Sequence, residues 1–196
     1  MDLIHHIQSS ATPWAALSLL LLGRNPHLSR KRIAGSLLLA FFLLCVPVAG
    51  WSFLDWIRML EPNPSITLTA LLGIALWERT RAEKIFTQSD WSAAWGFGAL
   101  AALALYPMGL GLTGIDPYVW GWGPMVPLAT AALATVLLLR GNRFGIVLIL
   151  PMAGTLLHLQ ESRNTWDALI DPFYAICSLA IVALTFKKKF IPASGD

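Results

Sequence analysis

The chain has 196 residues, of which 56% are hydrophobic and only 13% charged, with a mean hydropathy of +0.63. Ordinary globular domains carry about 25% charged residues, so the composition predicts a polytopic all-α membrane protein built as one domain over residues 1–196. The net charge of +3 does not point to a nucleic-acid partner, because the basic residues sit in short clusters between apolar runs.

A transmembrane helix needs about 20 mostly apolar residues, and seven stretches approach that length. In chain order they are Leu3–Leu22, Ile33–Leu54, Ser65–Trp77, Trp91–Leu112, a fifth from Tyr118 or Pro124 to Leu139, Phe144–Leu159 and Trp166–Phe186. His5, His6 and Gln8 weaken the start of the first, and the third is short. The N-terminus has an acid and no basic residue before its first apolar run, so a retained segment is expected, not a cleaved signal peptide. Cys45 and Cys177 lie within apolar runs and read as packing residues.

The loops fit seven spans. Arg24, Arg30, Lys31 and Arg32 fall on one side with Arg79, Arg81, Lys84, Arg140, Arg143 and Lys187 to Lys189. Only Arg58 and Arg163 fall on the other. Since Lys and Arg collect in cytoplasmic loops, this predicts a prokaryotic inner-membrane, multi-pass protein with its N-terminus outside and its C-terminus cytoplasmic. The outer side is then acidic and aromatic: Asp55, Glu61, Asp116, Glu161 and Asp167, with Asp171 a turn deeper, among Trp51, Trp56, Tyr118, Trp120, Trp122 and Trp166.

Two Asp-Pro-aromatic triplets stand out on that side, Asp116-Pro117-Tyr118 and Asp171-Pro172-Phe173. Asp followed by Pro is a helix-start pattern, with Asp as the cap and Pro in the first turn. A helix starting at Pro172 and ending at Phe186 is about 22 Å long, and one starting near Trp166 about 31 Å, so a spanning helix favours the earlier start. Asp167 and Asp171, four residues apart, would then share a face and repel unless a cation, a proton or a basic partner intervenes. The alternative is a local restart capped by Asp171, with both acids in water.

The densest polar stretch, His158 to Asn164, lies beside this pair. His158, Glu161, Asp167 and Asp171 are therefore the candidate catalytic residues, with carboxylate and imidazole groups suited to acid–base work. Arg163 is a candidate ligand-binding residue for an anionic head group. Asp116, Trp120 and Trp122 form a candidate ligand platform, with an interfacial aromatic belt as the plainer account. Asp55 to Pro64 reads as an amphipathic piece, and Ala94, Gly98 and Ala102 as a small-residue stripe for close helix approach.

No metal-binding spacing, nucleotide-binding loop or nucleophile motif occurs, so neither a metal nor a cofactor is expected. Three functions are compatible with the sequence. The first is an accessory or interaction subunit of a membrane or envelope assembly, with membrane lipids and a protein partner within the membrane as its contacts. The second is a small transporter or channel. The third is an enzyme acting on a lipid head group at the outer leaflet.

Overall fold

The computed structural model describes residues 2–23 and 28–190. Arg24 and the side chains of Asp2, His5, Lys188 and Lys189 lie outside the described residues. Among the described residues the regular structure is helical apart from one hairpin. Helix α1 is Asp2–Leu22 and α2 is Arg30–Cys45. The second apolar stretch does not continue as one helix. It ends at Cys45, and strands β1 (Pro47–Val48) and β2 (Trp51–Ser52) form a tight antiparallel hairpin. Both loop residues, Ala49 (φ 51°) and Gly50 (φ 88°), are left-handed, as a two-residue hairpin loop demands. The Trp56 indole N–H donates to the Val48 carbonyl at 2.9 Å and pins the hairpin to the next helix.

Helix α3 (Phe53–Leu60) starts with a reciprocal cap between Ser52 and Asp55. Next come α4 (Ile66–Arg81), α5 (Gln88–Gly109), a 3-10 turn over Pro117–Trp122, α6 (Met125–Leu139) and α7 (Phe144–Leu156). A five-residue helix α8 (Thr165–Leu169) precedes α9 (Pro172–Phe190). Helix α5 packs on α9, α6 on α7, α1 on both α2 and α4, and α4 on α7. The core gathers Leu71, Ala94, Ala102, Phe144, Leu148 and Tyr174.

The small-residue stripe lies inside this packing. Ala94, Gly98 and Ala102 are buried, and the Tyr174 hydroxyl of α9 donates to the Ala94 carbonyl at 2.6 Å. A Cβ on Gly98 would collide with Ser178 and lie 2.8 Å from the Tyr174 ring. The partner of this face is thus α9 of the same chain.

The seven-span bundle is overturned: among the described residues no helix is long and apolar enough to cross a membrane. Helices α2 and α4 have 16 residues, α6 has 15 and α7 has 13. At 1.5 Å per residue these reach about 20–24 Å, against a hydrocarbon core of about 30 Å. The longer helices carry polar ends: His5, His6, Gln8 and Thr12 in α1, Gln88, Ser89 and Asp90 in α5, and Lys187 to Lys189 in α9. The inner-membrane, multi-pass placement and the outside-to-cytoplasm orientation fall with the spans. The apolar stretches coincide with helices, but the hairpin cuts the second, the 3-10 turn takes the start of the fifth and the restart at Pro172 shortens the seventh, while α4 runs on past Trp77 to Arg81.

The end of the fold that holds Arg79 and Arg143 also holds the acids Glu78 and Asp90. Here Arg79 donates to the Gly23 carbonyl, and Asn142 donates to the Ser89 carbonyl at 3.2 Å. The buried Asp90 there accepts from the Thr87 N–H, the Thr87 hydroxyl and the Arg143 N–H at 2.7–2.8 Å. Burial alone would raise the Asp90 carboxyl, but these hydrogen bonds and the Arg143 charge together hold it below its ordinary value.

Candidate functional site

At the opposite end the sequence produces two capped helix starts. Asp116 accepts from the Tyr118 N–H at 3.0 Å and opens the 3-10 turn with Pro117 in its first position. Asp171 accepts from the Tyr174 N–H at 2.8 Å and opens α9 with Pro172 first. The restart at Pro172, not a continuous helix from Trp166, is what the chain adopts. The reason is local. Ile170 is extended (φ −145°, ψ 137°), and Pro172 has no N–H to continue α8. Asp171 is nevertheless buried, at 3% exposure, and is not the solvated cap that a surface restart would give. Its second oxygen accepts from the Ser65 N–H at 2.7 Å, so one carboxylate caps α9 and also grips the start of α4.

Asp167 sits in α8 and takes the Tyr118 hydroxyl on both oxygens, at 3.1 and 3.0 Å. The 3-10 turn is locked against α8 for this purpose. Asn164 donates to the Tyr118 carbonyl at 3.0 Å, and the Trp166 indole donates to the Pro117 carbonyl at 2.9 Å. Gly121 makes the approach possible, since a Cβ there would strike Asn164 and lie 2.7 Å from the Trp166 ring.

These groups border one cleft of about 490 Å³. Asp116, Asp167 and Asp171 line it, joined by Glu61 from the end of α3. Tyr106 and Tyr118 supply aromatic wall, and Asn63 supplies an amide. Among the described residues no Lys, Arg or His lines it. The Asn63 Oδ1 is buried and has no hydrogen-bond partner among the described residues.

The electrostatics follow from this crowding. Burial raises the Glu61 carboxyl above its ordinary value, and the charges of Asp171 and Asp167 raise it further, while the Asn63 N–H opposes them. Burial, then Asp171, Glu61 and Asp167, pushes the Tyr106 phenol up to about 12. Burial and the hydrogen bond to Asp167 push Tyr118 up to about 12. Added negative charge is thus disfavoured at Glu61, Tyr106 and Tyr118.

Of the residues singled out from sequence, the structure brings Asp116, Asp167 and Asp171 together. His158, Glu161 and Arg163 are exposed and lie outside the cleft lining, and so do the exposed Trp120 and Trp122. Among the described residues no three His, Cys, Asp or Glu side chains converge as metal ligands. Sequence reasoning passed over Tyr106 and Asn63 and gave Glu61 no role. The signal for Asn63 was its setting in Glu61-Pro62-Asn63-Pro64, a rigid turn beside an acid. Compared with protein-family models, with curated proteins and with solved structures, the chain matches none.

Proposed function

We propose that this chain is a binding protein, an interaction module in place of a catalyst, and that its ligand presents an ammonium group to the acidic cleft. The single observation that carries this reading is a cleft lined by four carboxylates and two tyrosines with no basic residue beside them among the described residues. An alkylammonium ion supplies the missing charge and lies against tyrosine rings as cations do. A catalytic reading has less support. Asp171 spends both oxygens on backbone N–H groups and Asp167 is held by Tyr118, which leaves them poor partners for proton transfer.

Calorimetric titration of the purified full chain with butylammonium tests the reading, with butanol and butyrate as controls. Millimolar or tighter binding of butylammonium alone supports it. Equal binding of butanol, or no binding of the cation, overturns it.

A further inference from the structure

A second depression, of about 460 Å³, lies between α1, α3, α4 and the start of α9. Its walls are apolar: Leu17 and Leu20, Phe53 and Ile57, Leu72 and Phe173. The hydroxyls at its edge are already engaged, Ser9 with the His6 carbonyl and Thr12 with Thr69. Among the described residues no Lys, Arg or His lines it. Arg58, on the neighbouring α3, points its guanidinium at the His6 carbonyl and the Ser10 hydroxyl. Among the described residues the one charged residue in the groove is Glu61, and Glu61 also lines the acidic cleft. Consecutive residues divide between the two depressions elsewhere as well: Asn63 and Pro172 face the cleft, while Pro64 and Phe173 face the groove. A charged depression and an apolar one therefore meet along a shared wall.

We infer that the ligand is a cationic amphiphile, its ammonium head in the acidic cleft and its alkyl chain laid over Glu61 into the apolar groove. The inference rests on the cleft binding an ammonium group and adds what that group is attached to. Charge decides the class. A fatty acid or phospholipid would bring a negative head to Glu61, Asp116, Asp167 and Asp171 with no cation to meet it, whereas a long-chain amine brings the complement. Each depression also falls within the size range of small-molecule sites, about 300–1,000 Å³.

Chain length provides the test. The full chain is titrated at neutral pH with butylammonium, octylammonium and uncharged octanol, using the native protein and the variants Leu20→Gln and Leu60→Gln. Both leucines line the groove and are strongly exposed, at 77% and 79%, so neither change threatens the fold. Burying an extra methylene is worth about a three- to fourfold gain, so octylammonium should bind about a hundredfold more tightly than butylammonium. That gain should shrink severalfold in both variants, and octanol should bind far more weakly than octylammonium. Butylammonium binding with no gain for octylammonium, or a gain untouched by both variants, overturns the amphiphile while leaving the cleft reading intact. Octanol binding as tightly as octylammonium, or no binding of either cation, removes the cleft reading and this inference together.

Discussion

Asp171 is the residue on which the site's geometry turns. It caps α9 through Tyr174, anchors the start of α4 through the Ser65 N–H, and places negative charge beside Glu61 and Tyr106. Hydrogen bonds to a charged group are worth about 1.5–3 kcal/mol, and removing a helix cap costs about 1 kcal/mol. Asp171→Ala should therefore lower stability by about 2–4 kcal/mol in urea unfolding, and Asp171→Asn by less, because the amide oxygen still accepts one bond. Glu61 should behave in the opposite sense. Its carboxyl is raised in the folded protein, so the fold binds more protons than the unfolded chain between the ordinary glutamate value and the raised one. Its contribution is favourable at low pH and is lost as pH rises through that window. Glu61→Gln should thus raise the melting temperature at neutral pH, with the difference vanishing below the ordinary glutamate range. Asp90 is the contrary case, lowered in the fold, so its stabilisation is present at neutral pH and disappears as pH falls through its depressed value.

At the scale of elements, close approach depends on two glycines. Gly98 lets α9 settle on α5, and Gly121 lets the 3-10 turn settle on α8. Gly98→Ala forces a Cβ into Ser178 and the Tyr174 ring, and overpacking of this kind costs about 1–3 kcal/mol, readable by thermal or chemical unfolding. Ser178→Ala should be neutral or mildly stabilising, since the buried Ser178 hydroxyl has no hydrogen-bond partner among the described residues. The elements were partly legible in the sequence. The apolar stretches marked most of the long helices, the two Asp-Pro pairs marked two helix starts, and the Asp55 to Pro64 segment contains most of the amphipathic α3. Some helix ends were legible, at Leu22, Leu139 and Phe144, and others were not. A hairpin at Ala49-Gly50 is formed by left-handed backbone that composition does not announce, and the restart at Pro172 competes with an equally plausible continuous helix until tertiary contacts at Ser65 decide it. The membrane reading failed on that point, because it converted apolar runs into spans before their breaks were known.

At the scale of the whole molecule, the charge pattern was legible while its meaning was not. Basic residues fall in short clusters along the sequence, and the acids Glu61, Asp116, Asp167 and Asp171 fall between them. The sequence could not show that these four acids, spread over more than a hundred positions, border a single cleft. All three tyrosines are shifted upward by burial, with nearby carboxylates adding to it. An ultraviolet titration should therefore show no tyrosinate at the ordinary phenol value near 10 while the chain stays folded. The folded state keeps protons that the unfolded chain gives up, so stability should fall as pH rises from about 10 towards 12.

The central claim is that the cleft's carboxylates hold an ammonium ion. The most direct measurement is the affinity of butylammonium for Asp167→Asn and for the double variant Glu61→Gln/Asp167→Asn, against the native chain at neutral pH and low salt. Each lost charge should weaken binding about tenfold, so the double variant should lose about a hundredfold while remaining folded. Unchanged affinity in a folded double variant would contradict the account.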